Sequence, residues 1–385
     1  MRILQIHNTY HFDGGEDTVV ENEYTLLTSH GVEVERLFFD NTSVNPLQLI
    51  YNASSAKTLQ KKLALFKPDL IHVHNLFYKA TPSILYEAKR HGIPVVMTLH
   101  NYRLVCPNAM FLRDHKVCVK CKNKTFPFPA IQHKCFKDSY LKSATLSASL
   151  FAHNVFGTWG NTVDKFIVLT PFAKKMITSS ALRVDPAKIA VKPNSTKGTS
   201  HALIPPELRN GYVFVGRLSE EKGIETLIDA FNELPHLKLF ILGTGELETK
   251  LKARANDTIE FMGQQPTSVV SEKVRNAKAL LFTSIIYEGL PNTIIEAFSA
   301  GTPVIASNID NINSIVEDGV NGQLFQVSNA EDLRKTIQYF DQNNALKYYE
   351  NARSTFEANY THEKNYTSLM QIYKEVITTH EAENN

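Results

Sequence analysis

The chain has 385 residues, 43% of them hydrophobic and 21% charged, with a formal net charge of +2. That length allows two domains with a sizeable core in each, the near-neutral balance gives no global electrostatic case for a nucleic-acid partner, and no apolar run reaches the ~18 residues that span a bilayer. Met1-Arg-Ile-Leu-Gln-Ile-His reads directly as a strand rather than a targeting segment, so the expected location is the cytoplasm, with at most a peripheral place at the cytoplasmic face of a membrane.

Ile3-Leu-Gln-Ile is the first strand, and it runs into a polar loop from His7 to Asp17 that contains Gly14 and Gly15. A helix from about Asp17 to Ser29 follows, with Val19, Val20, Tyr24 and Leu27 at helical spacing. Gly31 ends it, and strands are expected at Val32 to Phe39, Asp69 to His74 and Ile93 to Leu99, with weak helical patterning over 41–68 and a helix near Pro82 to Arg90. Strands alternating with helices indicate a parallel sheet covered on both faces. The rhythm breaks over 101–140, returns as a helix from Leu141 to about Thr158, and continues with strands at Asp164 to Thr170 and Ile189 to Lys192.

Pro193 to His201 is polar, and the domain boundary is expected there. The same rhythm then restarts. Strands are expected at Gly211 to Gly216, His236 to Gly243, Ile259 to Gly263, Ala279 to Thr283 and Pro303 to Ala306, and helices at Ile224 to Leu234 and Gly245 to Ala255. The tail reads as helices over Leu333 to Phe340, Lys347 to Ala358 and His362 to Thr379. The expected fold class is α/β, with two tandem Rossmann-like, doubly wound domains facing across a cleft and C-terminal helices crossing back to the first domain. The expected division is 1–194 with an insert at 101–140, a nucleotide-binding domain at 195–355, and a returning helix at 356–385.

In open sheets of this kind ligands bind beyond the carboxyl ends of the strands. Gly216-Arg217-Leu-Ser-Glu-Glu-Lys222-Gly223 follows the first strand of the second half. Arg217 offers a planar fork of donors and Lys222 a compact charge, a plausible clamp for a diphosphate; a solvated turn is the alternative, since Glu220 and Glu221 lie between them. Gly243-Thr-Gly245 lets a ligand approach the backbone closely. Glu288-Gly-Leu-Pro-Asn-Thr-Ile-Ile-Glu296 is a loop leading into a helix. Pro291 suits its first turn, and the N–H groups of Asn292, Thr293 and Ile294 point back toward the loop as an anion site needs. Glu288 then sits in the loop and Glu296 inside the helix, placed for a pair of ribose hydroxyls; helix capping and solvation are the structural alternatives. Together these loops favour a nucleotide-diphosphate ligand. Neither first strand is followed by Gly-x-Gly-x-x-Gly, which disfavours a dinucleotide oxidoreductase.

The succession Gly-Arg-Leu-x-x-x-Lys-Gly, Gly-x-Gly and Glu-Gly-x-Pro-x-x-x-x-Glu resembles the donor domain of the family 4 retaining glycosyltransferases, of the GT-B fold and of the type that builds bacterial cell-surface polysaccharides. The resemblance runs from Arg2 to about residue 380. It implies a hexosyltransferase that takes a UDP- or GDP-sugar donor and a glycan or lipid-diphosphate-linked acceptor. It implies that Arg217 and Lys222 bind the donor diphosphate, that Glu296 holds the ribose, and that Glu288 contacts the transferred sugar. It further implies that the backbone of Leu290, Pro291, Asn292 and Thr293 meets phosphate and sugar oxygens, that Gly216 and Gly243 belong to the donor loops, and that Gln264 lies near the base. In the first half, Gly14 and Gly15 match the loop that approaches donor and acceptor, and His100 matches the histidine that meets an outer sugar hydroxyl. His72 and His74 read as strand-end packing. The chain contains no Asp-x-Asp, so no catalytic metal is expected. The stretch Pro193-Asn194-Ser-Thr-Lys departs from the family's usual Gly-Val-Asp after Asn. A nucleotide-sugar epimerase, a phosphorylase or a non-catalytic nucleotide-sugar-binding protein on the same fold are the competing readings.

All four cysteines, Cys106, Cys118, Cys121 and Cys135, fall in one 30-residue window. A Cys-x2-Cys pair flanked by two more suits a tetrahedral structural zinc; two disulfides or four free thiols are the alternatives, with a reducing cytosol against the disulfides. From Arg113 to Lys142 eight Lys or Arg stand against two Asp, with Phe126, Phe128, Phe136 and Tyr140 interleaved. This stretch, 113–142, reads either as a solvated patch or as a docking surface for an anionic inner-leaflet membrane or lipid-diphosphate acceptor. No nucleic-acid partner is expected.

Overall fold

A computed structural model of the chain describes residues 1–9, 14–41, 48–199 and 201–384. The front of the glycine loop, 10–13, and part of the weakly helical stretch, 42–47, lie outside these. The chain divides into two compact units: Met1–Phe111 with Cys118–Asn194 and Glu363–Asn385, and Leu112–Val117 with Ser195–His362.

The first unit carries strands β1 (Arg2–Thr9), β2 (Glu33–Asp40), β3 (Leu70–Val73) and β4 (Val95–Leu99). A two-stranded hairpin, β5 (Leu112–Arg113) and β6 (Lys116–Val117), groups with the second unit, and β7 (Lys165–Val168) and β8 (Ile189–Val191) complete the first sheet. Its order is β2-β1-β3-β4-β7-β8, and every pairing is parallel. The direction of winding reverses between β1 and β3. Helices α1 (Gly15–Ser29), α2 (Ala53–Phe66), α3 (Ser83–Arg90), α4 (Phe128–Gln132), α5 (Tyr140–Val155), α6 (Thr158–Thr162) and α7 (Pro171–Thr178) belong to this unit. The central strands are apolar on both faces: Ile3, Leu4, Ile6, Leu70, Val96 and Ile167 are fully buried, as a parallel sheet covered on both sides requires.

The second unit holds β9 (Tyr212–Val215), β10 (Leu239–Leu242), β11 (Ile259–Gly263), β12 (Ala279–Phe282), β13 (Val304–Ser307) and β14 (Gly322–Phe325). Their order is β11-β10-β9-β12-β13-β14, again all parallel. Winding reverses between β9 and β12, whose ladder holds only Tyr212 against Ala279 and Val213 against Leu280. The two strands part beyond that, opening the crevice where sheets of this type bind ligands. The helices are α8 (Ile224–Asn232), α9 (Glu248–Lys252), α10 (Thr267–Asn276), α11 (Asn292–Ser299), α12 (Ala330–Gln342) and α13 (Leu346–Asn359). The last helix, α14 (His362–Asn384), returns to the first unit. Its Leu369, Ile372, Tyr373 and Val376, at helical spacing, pack on Ile3, Leu27, Val96 and Ile167.

Several expectations are corrected. The return begins at Glu363, because α13 continues to Asn359 within the second unit. The insert is divided: its hairpin joins the second unit, where His115 Nδ1 lies 2.6 Å from Glu220 Oε1. Pro291 is the N-cap of α11 rather than a first-turn residue. The short elements of the insert, α6, α7, α10 and β14 went unrecognised. For α7 the signal was present, a Thr170 cap that accepts the Ala173 N–H at 3.0 Å followed by proline. For α10, which buries only Val274, and for the four-residue β14 the apolar pattern is too sparse.

Candidate active site

At the carboxyl ends of β9 and β12 the second unit gathers the residues singled out from its loops. The 217–223 loop is tied to the segment after β12: the Thr283 hydroxyl donates to the Lys222 carbonyl at 2.7 Å, and the Ile285 N–H donates to the Glu221 carbonyl at 2.9 Å. Gly223 has φ +61, and a Cβ there would sit 2.1 Å from the Thr283 carbonyl oxygen, so only glycine lets the two segments close. This closure brings Lys222 Nζ to 2.6 Å from Glu288 Oε1, across 66 residues of sequence. Ser284 Oγ lies 2.9 Å from the same oxygen. The Asn311 side chain donates to the Glu288 carbonyl at 2.8 Å and fixes the loop.

Arg217 is exposed and forms no ion pair or hydrogen bond among the described residues. Glu296 lies on the less buried side of α11, whose opposite side buries Ile294, Ile295, Ala297 and Phe298. Burial pushes the Glu296 carboxyl up to about 7, and it too has no hydrogen-bond partner among the described residues. Leu290, Pro291, Asn292 and Thr293 form the loop end and start of α11, and Gln264 is exposed just after β11. Gly216 leaves ordinary room for a side chain, but Gly243 does not: at φ +132 its Cβ would lie 2.0 Å from the Gly216 carbonyl oxygen. Gly245 is equally confined, 2.3 Å from the Leu218 carbonyl oxygen. The glycines of this turn are thus required by loop packing, whatever approaches it.

In the first unit, Gly14 is the N-cap of α1, with its N–H bonded to Asp17 Oδ2 at 2.8 Å, and Gly15 is the first helical residue. Asp17 Oδ1 is 2.9 Å from His7 Nε2. Beside it, burial, with the Asp17 charge adding, pushes the Glu16 carboxyl up to about 8, so this group is largely protonated at neutral pH. His100 follows β4 and meets His74 ring to ring, Nε2 to Nδ1 at 3.0 Å; burial pushes its pKa down to about 3. Behind His74 lies a buried polar group that the sequence did not announce. Glu23 Oε1 accepts from Lys192 Nζ at 2.6 Å, with both side chains at most 4% exposed. Burial opposes ionisation of Glu23, but the Lys192 ammonium more than offsets this and holds its pKa below the usual carboxylate range.

Glu23, His72 and His74 form the one trio among the described residues whose potential ligand atoms lie within 4.8 Å of one another. It does not suit a metal. Lys192 already neutralises Glu23, and both ring nitrogens of His72 are engaged, by Thr98 Oγ1 at 2.8 Å and Tyr373 OH at 2.7 Å. The four cysteines remain thiols. The Cys118 N–H donates to the Phe111 carbonyl while the Phe111 N–H faces the Cys106 thiol, and the Cys135 N–H donates to the Ala130 carbonyl while the Ala130 N–H faces Cys121. Burial, with the neighbouring cysteines adding, pushes Cys106 up to about 11 and Cys121 up to about 12. The sulfurs themselves form no trio within 4.8 Å.

Sequence reasoning passed over Ser284, Gln5, Glu23 and Lys192. Ser284 carried a weak signal, a polar residue directly past a strand end. Lys192 carried none, since lysine is among the residues least often buried.

Two family models match: Glycosyltransferase Family 4 over residues 14–196 and Glycosyl transferases group 1 over 201–355. An uncharacterized glycosyltransferase of Methanocaldococcus jannaschii is 28% identical over 175 residues, 43% of this chain and 45% of its own length. The phosphatidyl-myo-inositol mannosyltransferase of Mycobacterium leprae is 27% identical over 258 residues, 63% of this chain and 67% of its own. The chain thus spans from about half to two-thirds of the length of these curated relatives. The crystal structure of Anabaena HepE in complex with UDP and glucose superposes with a TM-score of 0.69 at 17% identity, covering 97% of this chain and 100% of that one. With two parallel-sheet α/β units of the GT-B fold and matching models across both, the chain belongs to the family 4 glycosyltransferases.

Proposed function

We propose that the chain is a retaining hexosyltransferase that moves a sugar from a nucleoside-diphosphate donor, a UDP- or GDP-sugar, to a glycan or lipid-linked acceptor without a catalytic metal. The observation that carries this is the half-buried Glu296 carboxyl, held up at about 7, together with the exposed Arg217 of the loop after β9, neither side chain having a partner among the described residues. A half-buried carboxyl is poorly solvated in its charged form, and two ribose hydroxyls would supply it with donors. Glycosyl transfer develops positive charge at the anomeric carbon while the diphosphate leaves with negative charge. Arg217 and Lys222 stabilise the leaving group. Glu288, oriented by Lys222 and Ser284, faces the positive charge of the sugar. His100 meets a sugar hydroxyl. HepE with UDP and glucose, and a relative named for mannosyl transfer to a phosphatidylinositol, support this choice of donor and acceptor class.

The lysine-rich insert and α5 are proposed to dock on an anionic phospholipid surface at the cytoplasmic face of the membrane. Leu141, Phe151 and Val155 are exposed at helical spacing on α5, and Phe126 packs edge-on against Phe151 at 5.4 Å. The six lysines of 118–142 supply the complementary charge. The four insert thiols are proposed to hold one structural zinc, closing on the metal by side-chain rotation.

The test of the donor reading is a transfer assay on Lys222→Ala with UDP- and GDP-sugars, in buffer with a chelator, with the anomeric configuration of the product read by NMR. About a 10²–10³-fold loss in kcat is expected, with retained configuration in the parent. An unchanged rate removes Lys222 from the donor site, and epimerised donor formed without acceptor favours the epimerase reading.

A further inference from the structure

Two imidazoles meet end to end in the first unit, and the direction of the hydrogen bond between them can be worked out from their surroundings. His74 Nδ1 lies 3.0 Å from His100 Nε2. Burial keeps both rings neutral, so one nitrogen must present a hydrogen and the other a lone pair. His72, with ring centroids 4.1 Å away, has no bearing on the choice, since Thr98 and Tyr373 occupy its two nitrogens.

The decisive group is Gln5, buried on β1. Its side-chain nitrogen lies 3.2 Å from the Val20 carbonyl oxygen. A carbonyl only accepts, so the atom facing it must be the NH2 group; the flipped amide would set two oxygens against each other. The same NH2 lies 3.3 Å from His74 Nε2 and has a second hydrogen to give. His74 Nε2 must then carry the lone pair. Its competitor, Glu23 Oε2, is 3.5 Å away and makes no hydrogen bond, while the other oxygen of Glu23 is taken by Lys192.

We infer that His74 is a positioning residue that holds His100 in the Nδ1–H tautomer, through a hydrogen-bond chain that starts at the Val20 carbonyl and passes through Gln5. His74 keeps its proton on Nδ1 and donates it to His100 Nε2. The proton of His100 is then on Nδ1, the ring atom that has no hydrogen bond among the described residues. His100 therefore offers its ligand a donor, suited to a hydroxyl or phosphate oxygen, and cannot act as a base through that nitrogen. This rests on the proposed contact between His100 and the donor sugar, and it names the chemistry of that contact.

The test uses the full-length protein labelled with ¹⁵N-histidine, in two-bond ¹H–¹⁵N correlation spectra, with the signals of the two rings identified by their loss in His100→Gln and His74→Asn. Both rings are expected to show a protonated Nδ1. A protonated Nε2 on His100 overturns the inference. Gln5→Glu reverses the chain, because in either protonation state an oxygen of the new carboxyl can accept from His74 Nε2; both rings should switch tautomer, with about a tenfold or greater fall in kcat/KM for transfer. Spectra that do not switch refute the relay whatever the activity. A switch that leaves transfer unchanged upholds the relay and instead removes His100 from the sugar contact.

Discussion

Replacing Glu296 by glutamine should stabilise the ligand-free protein while weakening its hold on nucleotide. The carboxyl is half-buried on α11, has no hydrogen-bond partner among the described residues, and is pushed by burial from an ordinary 4.5 to about 7. Below pH 4.5 it is protonated in folded and unfolded chains alike and contributes nothing to pH dependence. As pH rises from 4.5 toward 7 the unfolded chain releases its proton first while the folded chain keeps its own, so stability falls across that window and stays lower above it. The full loss is about 3 kcal/mol. Glutamine has nearly the same shape and cannot ionise. In urea denaturation followed by intrinsic fluorescence, Glu296→Gln should match the parent at pH 4.5 and exceed it by up to about 3 kcal/mol at pH 8. Its affinity for UDP should fall about 10- to 100-fold, the cost of exchanging a charged acceptor for a neutral amide. A stability difference that does not change with pH, or a variant less stable than the parent at pH 8, would show that the carboxylate is already satisfied and refute the reasoning.

Lys192→Met leaves Glu23 ionised, buried and without its cation, and should cost about 3–5 kcal/mol in thermal denaturation, most of it recovered in the double variant with Glu23→Gln; a loss below about 1 kcal/mol would mean water reaches the pair. Elemental analysis of protein never exposed to chelator should find about one zinc per chain, lost in the Cys118→Ser, Cys121→Ser double variant; metal-free native protein would end that proposal. In vesicle flotation the chain should rise with vesicles containing anionic phospholipid and not with neutral ones, and Leu141→Asp should diminish the effect; equal recovery with both vesicle types, or with neither, contradicts the docking surface.

Much of this protein is legible locally. A strand buried on both faces must be apolar along its length, and a surface helix must repeat every three or four residues, so the alternation of β and α could be read from near neighbours alone. The site loops followed from the same logic, since residues just past strand ends are the ones a parallel sheet presents to ligands. Arg217, Lys222, Glu288 and Glu296 were found that way, with their glycine and proline context.

What local pattern cannot carry is which charge meets which. Lys222 and Glu288 were read as separate groups, and the fold pairs them at 2.6 Å. Gly243 was read as room for a ligand, and packing shows that a Cβ would strike the Gly216 carbonyl. His72 and His74 were read as packing at a strand end, and both are buried; their hydrogen bonds run to Tyr373, 301 residues away, and to His100. Glu23 and Lys192 stand 169 residues apart, and nothing in the sequence pointed to their pairing. The sequence by itself determined the longer secondary elements, the two parallel units and the residues at their strand ends, because those depend on periodicity over a few residues. Only the tertiary structure decided the strand order, the charge pairs and the ring tautomers, because a buried charge or lone pair is satisfied by whatever the fold brings within about 3 Å, however distant it is along the chain.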